Sequence, residues 1–343
     1  MPERVTRIAN EVSALTKSKL ESVANVATST KILAINASVE AARAGSDGAG
    51  FAIVAREVGS VAETVRELSD ELNKELAPLV QELTELGEVL VRSVRGGRLA
   101  DLALNAIELI DRNLYERSCD VRWWATDSAV VEACEDPTSE HRAFVCKRLG
   151  VILSSYTVYL DLWVTDAQGN VIANGRPDEF GSAIGTSAAG EDWFRRAIAT
   201  RDGSDYVARD VAPNPTLGGA TVATYATAVR RGGEERGEVI GTLGIFFDFA
   251  PQAEAIVKGI RISDADRDRT RVMLVDSDHR VLASSDERGL LSEHIDLSGA
   301  SGHQNGFYIR PSGEVVGYAV TPGYETYEGL GWYGVIVQQP VVE

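Results

Sequence analysis

Trp193, Phe194, Tyr206, Asp210, Tyr225 and Thr227 bring aromatic rings and hydrogen-bonding groups into one region of the chain. Around one sheet face they would form an apolar wall with a few placed polar groups, which is what a small-molecule site needs. Arg195 and Arg209 add guanidinium groups able to hold a small carboxylate. In a strand from Thr221 to Val229, alternation places Ala223, Tyr225 and Thr227 on one side. The opposing reading makes Trp193, Tyr206, Tyr225 and Phe246 ordinary core.

Residue types suited to catalysis lack the spacing that catalysis needs. His141, His279, His294 and His303 form no HExxH or other short-range metal set, and no GxSxG elbow occurs. Asp276 and Asp278 fall in a strand turn, where Asp is favoured for turn geometry. Gly45, Gly48 and Gly50 follow a helical pattern rather than a strand and lack a Gly-Lys-Ser/Thr ending, so they are no phosphate loop. No enzyme activity, metal or cofactor is expected.

The 343 residues allow two or three domains. A net charge of -17 and a pI near 4.8 argue against nucleic acid and anionic membranes as partners, because both would repel the chain. The most apolar run, Val239 to Phe247, ends at Asp248 and is too short to span a bilayer. The N-terminal MPERVTRIANEV is amphipathic and unlike a secretory signal. Cys119, Cys134 and Cys146 have no metal spacing. Cys119 and Cys134 are expected on one helix, too far apart along it to bridge. Free thiols in a reducing compartment and a cytoplasmic location are the expectation.

The elements that must position these groups begin with a helical hairpin. Leu33, Asn36, Glu40 and Arg43 fall at three- and four-residue steps on one helix face. Ala44-Gly45, Gly48 and Gly50 break the helix. Val54, Val58, Val61, Val65, Leu68 and Leu72 then resume at strict heptad spacing. Two helices joined by a short loop run antiparallel. Asn36, Glu40 and Arg43 are costly to bury unpaired, so they read either as a contact surface or as a solvent-facing helix end.

NASVEAARAG followed by GAGFAIVAREV resembles the hairpin tip of the methyl-accepting chemotaxis protein signalling domain, from about Val23 to Val65. The resemblance implies contact with the chemotaxis histidine kinase and its coupling protein. Leu33, Asn36, Glu40, Arg43 and Glu57 match positions that pack or hydrogen-bond at the tip. The chain departs from the pattern at Lys31, where the family usually has Asn, and at Ser46, where it has Glu. Ala49 and Gly59 each stand where it has Arg. These departures bear on kinase coupling rather than on fold.

The hairpin is expected over 1–95, with Pro78 kinking it and Gly96-Gly97 as a hinge. A long helix over 98–135 should follow, then a helix from Thr138 to Tyr156 capped by Thr138 or Ser139. Beyond it an internal repeat appears. VYLDLWVTDAQGNVIANG (158–175) is similar to VMLVDSDHRVLASS (272–285), and the hairpin at 218–249 is echoed at 314–340. Each copy reads as strand-turn-strand, a glycine-containing connection with helix, and a long hairpin.

This arrangement resembles the double Cache sensor domain over about Leu99 to Pro340, through CDVRWWATDSAV, WVTDAQGNVIA, GEDWFRRAI and ETYEGLGWYGVIVQQP. The expected fold class is α+β, a helical hairpin and long helix followed by two PAS-like antiparallel-sheet modules at 156–250 and 268–340. The resemblance implies a ligand pocket in the first module. Amino-acid-binding members carry an Arg where Glu191 stands and an acid where Phe246 stands. Both anchors are missing, so an α-amino acid is disfavoured, and an apolar, aromatic or heterocyclic molecule or a small carboxylate fits better.

The expected function is a chemoreceptor-type sensor of a small intracellular ligand, working as a homodimer whose hairpins form a four-helix bundle. The alternative is a non-signalling scaffold that uses the tip to engage receptors or coupling protein. It draws on a first helix (Arg4 to Ala44) too short for the usual methylation region and on the lack of paired Glu/Gln adaptation sites.

Overall fold

The computed structural model describes residues 2–340, and the side chains of 2–7, 46 and 88 lie outside that description. The readings made on Met1 and on the side chains of 2–7 and 46 therefore fall outside that description. The chain divides between Arg95 and Gly96 into two compact units.

In the first unit, α1 (Pro2–Arg43) ends at a 3-10 turn, Gly45–Gly48, and α2 (Ala49–Trp124) returns. Gly45 has φ +65°, a conformation that glycine adopts without Cβ strain. A Cβ on Gly48 would lie 2.1 Å from the Ala41 carbonyl oxygen, so the reversal is tight enough to require glycine there. Gly50, read as a third breaker, lies in the first turn of α2. The hairpin closes on small side chains. Ala27, Ala34 and Ala41 on α1 and Ala55, Ala62 and Ser69 on α2, each row at heptad spacing, are 7% exposed or less. The large apolar row Val54, Val58, Val61, Val65, Leu68 and Leu72 points away from this contact and is 36–60% exposed. Lys31 reaches across the hairpin to Glu63, which also pairs with Arg66 at 2.9 Å.

Two boundaries differ from the sequence reading. Pro78 and Gly96-Gly97 lie inside α2, which runs on to Trp124. The long helix expected over 98–135 is broken at Asp127, whose carboxylate accepts the Ala129 N–H and caps a separate α3 (Ser128–Glu135). Cys119 and Cys134 thus sit on different helices, and all three cysteines are free. Gly96 has a packing reason to be glycine: a Cβ there would lie 2.1 Å from the Phe307 ring. The helix α4 (Ser139–Ser155) is capped by Thr138, whose hydroxyl accepts the His141 N–H.

The second unit builds two sheets of identical strand order. Strands β1 (Tyr159–Asp166), β2 (Val171–Asn174), β3 (Val207–Asn214), β4 (Ala220–Arg230) and β5 (Val239–Asp248) form the order β2-β1-β5-β4-β3. Strands β6 (Thr270–Val275), β7 (Val281–Ser284), β8 (Asn305–Ile309), β9 (Val315–Val320) and β10 (Tyr333–Gln338) form β7-β6-β10-β9-β8. Every pairing is antiparallel. The repeat extends to the turns: Asp166 Oδ1 accepts the Gln168 and Asn170 N–H groups, and Asp276 Oδ1 accepts those of Asp278 and Arg280. The helix expected in each connection is realised in the first module, as α5 (Pro177–Phe180) and α6 (Asp192–Ala197), but shrinks in the second to a 3-10 turn, Ser298–Ala300.

One face of both sheets packs on the C-terminal part of α2. Leu99, Ala103, Ile107, Ile110, Leu114 and Val121 are buried there with Tyr225, Phe247, Phe249 and Trp332. Burying such side chains contributes about 1.5–3 kcal/mol each and holds the helix on the sheets. Gly317 and Gly334, on neighbouring strands β9 and β10, bring the second sheet against the α2 backbone. A Cβ on Gly317 would lie 2.4 Å from the Leu99 carbonyl carbon, and one on Gly334 would lie 2.1 Å from the Ala103 oxygen. The opposite sheet faces carry two separate apolar clusters, one around Trp163, Trp193 and Phe246, the other around Met273, Val316 and Val335.

Candidate functional site

The face of the first sheet turned away from α2 holds a cavity of about 330 Å³. Its walls are Trp163 from β1, Phe246 from β5, Val222 and Thr224 from β4 and Trp193 from α6. The rings interlock, with Trp163–Phe246 centroids 4.3 Å apart and Trp193 meeting Phe246 edge-on at 5.9 Å. Gly244 makes room for this, since a Cβ there would lie 3.0 Å from the Trp193 ring. The Trp163 indole donates to Asp161 at 2.9 Å, which fixes the ring's tilt.

Polar groups sit on the other side. Arg209 pairs with Asp192 at 2.9 Å, Asp210 accepts the Val211 N–H at 2.7 Å, and Glu191 completes the charged lining. Glu191, Asp192 and Asp210 thus line the cavity beside one guanidinium, and the Asp210 carboxyl lies close to Trp332 and the Arg280 guanidinium. Burial pushes the Asp210 carboxyl above its usual range, opposed by its hydrogen bond from Val211.

Of the residues singled out from sequence, Trp193, Arg209, Asp210 and Phe246 line this cavity, as do Glu191 and Phe246 at the two positions where the family resemblance places ligand anchors. The others lie elsewhere. Phe194 is buried in the apolar cluster behind Trp193. Arg195 is 60% exposed and lies 3.9 Å from Asp192, outside the lining. Tyr225 is buried on the α2 side, with its hydroxyl 3.4 Å from that of Tyr327. Tyr206 stacks on Tyr225 at 6.3 Å beneath the Arg122 guanidinium, and Thr227 donates to the Asp205 carbonyl at 2.7 Å. Alternation grouped Ala223, Tyr225 and Thr227 correctly on one face, but that face packs on the helix, and Val222 and Thr224 meet the cavity. Trp163, Asn214 and the Thr186–Ala188 segment also line it without having been singled out; the WVTDAQGN motif held the signal for Trp163.

At the hairpin tip Leu33, Asn36, Glu40, Arg43 and Glu57 are all exposed, and Glu40 pairs with Arg43 at 3.2 Å. The helix that carries them runs intact to Arg43, and exposure in the single chain fits both tip readings.

The cavity lining carries a pH dependence. An ionised Asp210 attracts a cation, and a carboxyl raised by burial loses its charge at a higher pH than an exposed one. Affinity for a cation is therefore expected to fall on acidification at a higher pH than an exposed carboxylate would give. Asp210→Asn should lower affinity at neutral pH and flatten that step; titrations of dissociation constant against pH check it.

Residues 2–110 match the family model of the methyl-accepting chemotaxis protein (MCP) signalling domain. The methyl-accepting chemotaxis protein CtpL of Pseudomonas aeruginosa is 40% identical over 79 residues, 23% of this chain and 12% of that protein's length. The chain therefore spans a small part of the curated relatives it matches. The sensory domain of the Campylobacter jejuni chemoreceptor Tlp3 aligns with a TM-score of 0.53 at 17% identity, covering 71% of this chain and 92% of that structure. The sensor domain of the Vibrio cholerae histidine kinase DctB aligns with a TM-score of 0.52 at 17% identity, covering 70% and 94%. The N-terminal region is thus similar to a chemoreceptor signalling domain, and the two-sheet unit has the sensor-domain fold. Among the described residues no helix is long and apolar enough to cross a membrane.

Proposed function

We infer that this chain couples recognition of a small molecule in the first sheet module to a chemoreceptor-type helical output. The observation that carries the reading is the joining, on one polypeptide, of a signalling-domain hairpin with an outward apolar heptad row and a sensor fold with a walled cavity. The heptad row requires a partner surface, and a second copy supplies it as a four-helix bundle. Ligand occupancy shifts the population between two packings of that bundle, for which a differential affinity of about 1–3 kcal/mol suffices. The histidine kinase and coupling protein are the partners that the exposed tip would engage.

The lining narrows the ligand. Aromatic walls with an excess of carboxyl groups favour a small organic cation over the carboxylate that Arg209 could hold, because Asp192 already pairs that guanidinium. A thermal-shift screen weighted to small amines and quaternary ammonium compounds tests this. A hit in the wild type is expected to vanish in Trp193→Ala and persist in Tyr225→Phe. No hit at all overturns the sensing role. A hit that stabilises the protein but leaves kinase activity unchanged in a reconstituted array supports the scaffold reading instead.

A further inference from the structure

The cavity of the first module lies on the sheet face turned away from α2, so its occupant can reach that helix only around the sheet. The edge of the sheet supplies a route. β3 loses register between Arg209 and Ala212, and the irregularity brings the neighbours Arg209 and Asp210 together at the cavity, where a regular strand would send them to opposite faces. Val211, in the same bulge, is buried on the α2 side, and its carbonyl accepts from Arg280 of the second module at 3.3 Å. Asp276 holds that guanidinium at 2.8 Å.

Asp210 thus stands between the cavity and the second module. Its carboxyl lies close to the Trp332 indole and the Arg280 guanidinium. Trp332 is 1% exposed, and its Nε1–H has no acceptor at hydrogen-bonding distance. A buried donor left unpaired carries its full desolvation cost, so the indole and an occupant of the cavity compete for one carboxylate. The competition gives this edge two arrangements, which is what a relay requires.

Trp332 also closes the base of a loop, 321–332, that reaches α2. Its carbonyl accepts the Thr321 N–H at 2.7 Å. The Thr321 hydroxyl donates to Asp111 of α2 at 2.5 Å, and the Gly323 N–H donates to the same oxygen at 3.1 Å. Nearer the tip, Tyr324 and Tyr327 exchange two backbone hydrogen bonds, and Tyr324 meets the Tyr115 ring of α2 edge-on at 5.3 Å. A Cβ on Gly329 would lie 2.3 Å from Thr321 Oγ1, so the loop is packed on itself and moves as a unit. Asp111 is 2% exposed, and the loop supplies the two donors that offset its burial. Displacing the loop therefore disturbs α2.

We propose that the β9–β10 loop relays occupancy of the first cavity to α2, with Asp210 as the residue that passes it from one module to the other. This route deepens the sensing function inferred above and rests on it.

The test is hydrogen exchange read by mass spectrometry on the full chain without ligand. Asp210→Asn keeps the side-chain shape and removes the charge. It is expected to speed exchange by about threefold or more in 321–332 and in α2 over 107–118, leaving α4 unchanged. Trp332→Phe keeps a ring against Phe249 and removes the N–H. Adding Asp210→Asn to it should change neither segment further, because the link is already broken. If Trp332→Phe does not fold, Arg280→Gln takes its place in the cycle. Wild-type exchange over 107–118 in Asp210→Asn, equal acceleration in α4, or additive effects in the double variant each overturns the relay. Since no ligand enters, that failure leaves the sensing function to the thermal-shift screen, and a screen without a hit leaves the exchange result standing.

Discussion

Replacing Val65 and Leu72 together by glutamate is expected to convert a dimer into monomers. Both side chains belong to the outward heptad row, 36% and 44% exposed in the single chain, while the helices of the hairpin touch through alanines. In a two-fold assembly each substitution occurs twice. Four apolar side chains at about 1.5 kcal/mol each amount to about 6 kcal/mol. That is roughly four decades in dissociation constant, before any repulsion between the new carboxylates. Sedimentation equilibrium at micromolar concentration reads the result, with far-UV circular dichroism reporting whether the tip helices remain folded. A wild type that is monomeric with folded tip helices removes the bundle architecture. A variant that stays dimeric places the contact elsewhere. Val54 and Leu68, on the same row, should behave alike, whereas Glu57→Gln at the exposed tip should leave the assembly state unchanged.

Gly334→Val is expected to lower the melting temperature of the sheet unit by about 6–12 °C, for a cost of about 3 kcal/mol. The new Cβ would lie 2.1 Å from the Ala103 carbonyl oxygen, and both partners are backbone, one in a helix and one in a central strand. Neither side yields without losing hydrogen bonds, so the clash is not relieved by a rotamer change. Gly97→Ala gives the contrasting case. No atom lies within 4 Å of its Cβ position, and it is in the interior of α2. Alanine there should raise stability by about 1 kcal/mol. Thermal unfolding followed by circular dichroism separates the two; a Gly334→Val protein that melts with the wild type would refute the close approach.

Much of this architecture is legible in local pattern. The heptad row from Val54 to Leu72, the glycine reversal after Arg43, the Thr138 cap and the two Asp-turn hairpins are short-range signals, and each appears where its spacing puts it. The small-residue row that closes the hairpin, Ala27, Ala34 and Ala41 against Ala55, Ala62 and Ser69, is equally present but less visible, because alanine is common on every helix face. Edge strands β3 and β8 differ in legibility: β3, irregular between Arg209 and Ala212, gives no clean alternation, whereas β8 alternates exposed and half-buried residues.

The limits of pattern show at Tyr225 and at Gly96. Period-2 alternation states which residues of β4 share a face, and this holds for Ala223 and Tyr225. It does not state which face a helix will cover, because that depends on where α2 packs. Gly96 reads as a hinge by propensity, yet the helix passes through it, and its small size serves the Phe307 ring, far away in sequence. The lining charges of the cavity on the first sheet are of the same kind. Repeat and register make the modules alike in backbone, and the sequence alone determines that likeness, together with the hairpin and its seam. Only the tertiary structure decides that Glu191, Asp192 and Asp210 converge at one cavity, because convergence joins loops and strands that no local spacing relates.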